Sequence, residues 1–197
     1  PVLSRFHQED KEKWLLFGRL LQKTLFLVSL PISMVLFVYA EQIIGLVYGS
    51  VAFAEAIPIL RIFAVIVFVR FGVDAYALML TTSRRQSKRM VIVFIGTVLS
   101  LMLNVYMIPT YGIWGAAIVS LATNTFVAIG YIVMSKVSFE AWSLHWRSTT
   151  PLLLVSMASW IAWSYRSVSV FIALPIMLIL SLVIVYFVGY TKDERKL

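Results

Sequence analysis

Six apolar stretches, most of them close to the length that crosses a bilayer, constrain this chain more than any other feature of its sequence. A spanning helix needs about 20 mostly apolar residues, because it crosses a hydrocarbon core some 30 Å thick at about 1.5 Å per residue. The stretches run over residues 24–46, 57–81, 90–108, 113–134, 150–165 and 168–190. The fifth is short, the first contains Pro31, and the second has Pro58 in its first turn, where a missing N–H costs little. Composition agrees. Hydrophobic residues make up 61% of the 197 and charged residues 13%, against about 45–50% and 25% in soluble domains. With a mean hydropathy of +0.92, too little polar surface is left to face water.

The loops between these stretches predict an orientation, because Lys and Arg concentrate on the cytoplasmic side. Arg5, Lys11, Lys13, Arg19 and Lys23 precede the first stretch, and Arg84, Arg85, Lys88 and Arg89 follow the second. Lys136 and Arg147 follow the fourth, and Lys192, Arg195 and Lys196 close the chain. The alternate loops 49–56 and 109–112 carry no basic residue, and the last outer turn carries only Arg166. The expected fold is therefore all-α: a polytopic transmembrane helical bundle of about six spanning helices with both termini cytoplasmic. Trp142 and Trp146, and at the other face Trp160, Trp163 and Tyr165, suit headgroup depth. The opening segment 6–21 mixes Trp14, Leu15, Phe17 and Leu20 with charges. It reads either as a surface-lying amphipathic stretch or as a polar loop.

A net charge of +8 would suit nucleic acid only if the basic residues shared one exposed face. Here they form short clusters between apolar runs, so no nucleic-acid partner is expected. The absence of cysteine removes disulfides, iron–sulfur clusters and thiolate zinc sites. No phosphate-binding or dinucleotide glycine motif and no HExxH occurs. The two histidines, His7 and His145, lie far apart in the chain. No catalytic residue, cofactor or metal is expected. Pro1 stands where an initiator Met would, and no signal-peptide pattern opens the chain, so a piece of a longer protein is the expectation.

The second stretch holds the residues best placed to carry chemistry. Arg70 falls about 20 Å from that helix's outer end, near the bilayer middle. A central Arg costs about 2.5–3.5 kcal/mol on insertion scales, so it should face protein or a water-filled cavity. Asp74, four residues on, shares its face and can partner it. Two readings are open: Arg70 and Asp74 bind substrate or couple its transport to a cation or proton, or they form an internal ion pair that fixes packing. Arg61 lies half a turn round near the outer surface, where it can snorkel; Glu41 and Glu55 read as solvated ends. Pro31 removes a backbone hydrogen bond to Leu27 and predicts a kink or hinge. Small and polar residues recur every four positions as Gly96, Ser100 and Asn104, and again as Ala116, Ser120, Asn124 and Ala128. With only Pro109-Thr110-Tyr111-Gly112 between them, these two helices must be antiparallel neighbours in close contact. Asn104 and Asn124 then serve either helix packing or a polar path.

Four segments in order carry a family resemblance: 1–5 (PVLSR), 40–49 (AEQIIGLVYG), 75–80 (AYALML) and 108–117 (IPTYGIWGAA). Over residues 1–134 the chain resembles the C-terminal part of the polysaccharide flippases of the multidrug/oligosaccharidyl-lipid/polysaccharide exporter superfamily. The resemblance implies two six-helix bundles around a central cavity, often with two appended helices. Residues 1–135 would be the latter part of the second bundle, with four transmembrane helices. Residues 136–197 would be a cytoplasmic linker and the appended pair. It further implies a bacterial inner-membrane location and lipid-linked anionic oligosaccharide as substrate, moved by alternating access. Membrane lipids, a polysaccharide polymerase and export machinery would be its partners. The rival expectations are a multidrug or cation antiporter of the same superfamily and a non-catalytic membrane subunit.

Overall fold

The computed structural model describes residues 10–49, 53–83 and 85–139, together with the isolated positions 175, 176, 179 and 183. These residues are almost entirely helical, with no strand among them. Four helices carry them: α1 (Lys11–Val38), α2 (Ala40–Tyr48), α3 (Ala56–Thr82) and α4 (Gln86–Phe139). The expected fifth spanning helix, all of the sixth but residues 175, 176, 179 and 183, the linker with Trp142, His145 and Trp146, and the charged tail lie outside the described residues.

Helix α1 begins at Lys11, thirteen positions before the apolar run at Thr24. Asp10 starts it: its Oδ1 accepts from the Lys13 backbone N–H at 3.1 Å, and its carbonyl accepts from Trp14 N at 3.0 Å. The bond to Oδ1 satisfies one of the donors a helix N-terminus leaves unpaired. Neither reading of segment 6–21 describes residues 11–21, which are the opening turns of a long helix. The reason is packing against α3. Trp14 is fully buried and its Nε1 donates to Thr82 Oγ1 at 3.2 Å. A Cβ on Gly18 would sit 2.5 Å from Met79 Sδ, and Gln22 Nε2 donates to the Gly72 carbonyl. Contacts advance up α1 as they descend α3, so the two helices run antiparallel here.

Pro31 is fully buried and α1 continues through it. The helix breaks instead at Tyr39 (φ −95°, ψ 17°), and α2 begins at the next residue. It ends at Gly49, whose φ of +81° favours a residue without Cβ and whose N–H closes on the Gly45 carbonyl at 3.1 Å.

Helix α3 matches the expected second span to within a residue at each end. Helix α4 is two helical arms, the third and fourth stretches, separated by a kink at Gly112 (φ 58°, ψ −136°). The chain reverses there: Ile92 lies against Gly130, Gly96 against Val127, and Met107 against Gly115. The two arms are thus the antiparallel pair that the small-residue spacing required. A Cβ on Gly96 would come within 2.7 Å of Val127 Cγ2, and one on Gly130 within 2.8 Å of Ile92 Cγ2. Close approach of the arms depends on both absences.

Three helical segments are long and apolar enough to cross a membrane: Glu12–Val38, Ala56–Thr82 and Gln86–Ser135, with mean hydropathies of 1.8, 2.2 and 2.3. Folded at Gly112, each arm of α4 is about 40 Å long. Leu101, Met102, Val105 and Tyr106 on its first arm are 67–71% exposed, more apolar surface than water tolerates on a monomer.

Two compact units divide the chain, one built on Pro1–Leu25 and Val69–Ser143, the other on Phe26–Phe68 and Leu144–Leu197. In the first, Val73, Tyr76, Ala77 and Leu80 of α3 form a buried cluster with Ile92, Ala128 and Tyr131 of α4. In the second, Phe26 and Phe68 meet at 5.3 Å between ring centroids, and Leu30, Val35, Val38, Ile44, Ile59, Ala64 and Ile66 are buried.

Candidate functional site: a polar cavity on α3 and α4

Three helical faces in the first unit enclose a cavity of about 440 Å³. Helix α3 contributes Arg70, Val73, Asp74 and Ala77, a run at helical spacing that presents one face. The first arm of α4 contributes Arg89, Val93, Gly96, Thr97, Ser100, Leu101 and Asn104, and the second Thr123, Asn124, Val127 and Tyr131. Gly96 sits in the lining because the arms close on one another there. Tyr131 and Val73 join the cavity wall to the buried cluster behind it.

All four polar residues singled out in the sequence meet in this cavity: Arg70, Asp74, Asn104 and Asn124. Arg70 and Asp74 are both exposed to it. Their i, i+4 spacing puts them on one wall, but no ion pair joins them. Arg70 stands one residue past the middle of the 27-residue α3, so its charge opens onto the cavity at mid-helix. Asn104 Nδ2 donates to Ser100 Oγ at 3.3 Å, while its Oδ1 is buried with no hydrogen-bond partner. Asn124 Nδ2 donates to the Ser120 carbonyl at 2.8 Å. Thr97 and Thr123 give their hydroxyl protons to Val93 and Val119 carbonyls at 2.9 and 2.8 Å, which leaves oxygen lone pairs at the cavity wall.

A third ionisable residue in the lining was legible only as a loop charge. Arg89 belongs to the basic run after the second stretch, yet it is the fourth residue of α4 and half-buried. Its Nη1 donates to Thr81 Oγ1 at 3.0 Å. The signal was available: positions 89, 93, 96, 100 and 104 continue the Gly96–Ser100–Asn104 stripe by two turns toward the chain start. The charged side chains of the lining are two guanidiniums and one carboxylate, a net positive wall. Such a wall favours anions, and Arg binds carboxylate or phosphate through paired N–H donors.

Comparison with protein-family models, curated proteins and solved structures finds no match.

Pro31 lies in the other unit and has no part in this cavity. That unit holds an apolar groove of about 280 Å³ lined by Leu30, Ser33, Met34, Phe37, Ala64, Val65 and Phe68. Two of its charges are engaged with each other. Arg61 Nη2 donates to Glu41 Oε1 at 2.9 Å, with the Arg61 guanidinium 6.0 Å from the Phe37 ring centroid. The sequence placed Arg61 near the outer surface, where it could snorkel, and Glu41 at a solvated end, without pairing them. Among the described residues, no group of three or more His, Asp or Glu side chains comes together.

Proposed function

We propose that this chain forms part of a bacterial inner-membrane exporter that moves a lipid-linked anionic oligosaccharide by alternating access. The resemblance implies that it is the C-terminal portion. One observation carries the reading: a polar cavity with a net positive wall sits among helices apolar enough to cross a bilayer. A mid-membrane Arg is costly to insert, by about 2.5–3.5 kcal/mol. Burying it in an ion pair with Asp74 would recover part of that cost, but both groups open to the cavity instead. The charge of Arg70 is thus available to an anionic group of a transported molecule. Asp74 beside it weakens that hold enough for release. Asn104, Asn124, Ser100 and Thr97 supply neutral donors and acceptors of the kind sugar hydroxyls satisfy.

Transport by rocking bundles needs a central polar site reached from one face at a time. Orientation is assigned from the basic loops, so Ser87 and the C-terminal tail face the cytoplasm and Thr110 the outside. Cysteine placed at each position and labelled with an impermeant reagent tests this; labelling of position 87 from outside would reverse it.

The antiporter reading draws on Asp74, an exposed carboxylate among amide and hydroxyl oxygens. Arg70→Ala and Asp74→Asn in the full-length protein separate the two. Glycan export that stops in Arg70→Ala at normal membrane levels supports the flippase. Export left intact, with cation-driven efflux lost in Asp74→Asn, would replace it. Restored export when Arg70 and Asp74 are both made apolar would reduce them to a packing pair.

A further inference from the structure

The cavity carries its two cations at different depths, and they are held differently. Arg70 is at mid-helix on α3. Arg89 is tied to Thr81, eleven residues along α3 and hence about 16 Å from Arg70 along the helix axis. The Thr81 hydroxyl has a settled orientation. Its proton goes to the Ala77 carbonyl at 2.8 Å, so a lone pair is left to accept from Arg89 Nη1 at 3.0 Å. An Arg in the first turn of a helix next to a loop would ordinarily extend its head into solvent. Here the guanidinium is drawn across to α3 and half-buried at the cavity wall.

We infer that Arg89 is the anion-receiving residue at the loop end of this cavity, and that Thr81 is its positioning residue. The inference rests on the exporter reading and adds a residue and a supporting contact to it. A guanidinium has five N–H donors, and the bond to Thr81 uses one. No ion pair engages Arg89 among the described residues, and the one carboxylate in the lining, Asp74, lies seven residues up α3 from Thr81, about 10 Å along the axis. Most of the fork is therefore open to a diphosphate-like group, with its charge uncompensated. Holding a flexible side chain in the binding geometry beforehand removes an ordering cost of about 0.5–1.5 kcal/mol from the binding step. The hydroxyls of Thr97 and Ser100 line the way from Arg89 toward Arg70. An anion can thus be captured at the mouth and passed inward between two cations without crossing an apolar gap.

Inorganic pyrophosphate is the probe, titrated calorimetrically into the full-length protein in lipid nanodiscs at low salt. Arg89→Gln is expected to weaken binding about tenfold or more, as loss of a charge-assisted contact does. Thr81→Val keeps the side-chain shape but removes the acceptor, and is expected to weaken binding about threefold to tenfold, with the melting temperature unchanged. Thr81→Ser should restore wild-type affinity. Wild-type affinity in Thr81→Val, or failure of Thr81→Ser to rescue a weakened one, overturns the positioning role. Loss confined to Arg70→Gln, with Arg89→Gln at wild-type affinity, overturns the inference and leaves the exporter reading standing. No binding of pyrophosphate by the wild-type protein overturns both.

Discussion

Residues 69–139 and residues 26–68 are both made of apolar helices packed antiparallel, yet they dispose of charge in contrary ways. In the second, Arg61 and Glu41 close on each other at 2.9 Å, and the space nearby is a groove lined almost wholly by apolar side chains. In the first, Arg70 and Asp74 stand four residues apart on one face without closing, and with Arg89 they line an open polar cavity. The difference shows where a ligand can be recognised. A pair already compensated offers a passing anion little, whereas a cation left open in a low-dielectric surrounding keeps most of its pull. The two regions differ in the same way in their glycines. Gly96 and Gly130 each lie where a Cβ would collide with the facing arm, but nothing approaches within 4 Å of a Cβ placed on Gly45.

The sharpest way to break this comparison is to remove one arginine from each region of the full-length protein. Arg70→Ala is expected to abolish export while membrane levels stay normal, and Arg61→Ala to leave export near wild type. Equal losses measured for the two would erase the distinction. Next in size is steric. Gly96→Leu should destabilise the α4 hairpin by about 1–3 kcal/mol through overpacking. Gly45→Ala should be neutral or stabilising by up to about 1 kcal/mol, since Ala suits a helix interior better than Gly. Thermal melting in nanodiscs reads both, and a Gly96→Leu variant that melted like wild type would disprove the close approach.

A smaller effect is expected from Glu41→Gln. The Arg61–Glu41 pair is partly exposed, with side-chain exposures of 28% and 52%, so its loss should cost less than about 1 kcal/mol. A cost several times greater would mean that this pair organises its region. The smallest effect belongs to the start of α1. The Lys13 backbone N–H, and after it the Lys13 side chain, hold the Asp10 carboxyl below its ordinary range. A carboxylate with a lowered folded value contributes stability above its ordinary value and loses it as pH falls through the folded one. Protection of the first-turn amides of α1, measured relative to intrinsic exchange at each pH, should therefore fall under acid conditions, and Asp10→Ala should remove that pH dependence. An unchanged acid response in Asp10→Ala would deny Asp10 its capping role.

Much of this was legible from local chemistry. The bounds of α3 come from a long, mostly apolar run, and the α4 reversal from small residues at four-residue spacing joined by a four-residue link. Arg70, Asp74, Asn104 and Asn124 were identifiable because polar groups on apolar helices need a partner or a cavity. The N-terminal extent of α1 was not legible. Residues 11–23 are too charged to look like part of a span. Only the contacts of Trp14, Gly18 and Gln22 with α3 join them to the apolar turns beyond Lys23 as one helix.

By itself the sequence determined that the apolar stretches among the described residues are helices and that the third and fourth turn back within residues 109–112. Backbone hydrogen bonding within a helix and the positive φ of a glycine are local properties, and residue order specifies them. Which charges stay open was decided by tertiary structure alone. The Arg61–Glu41 pair joins α3 to α2, and Arg89 of α4 donates to Thr81 of α3 at the cavity wall. Both depend on residues of two different helices, 20 and 8 positions apart, meeting within hydrogen-bond distance, which spacing along one helix does not encode.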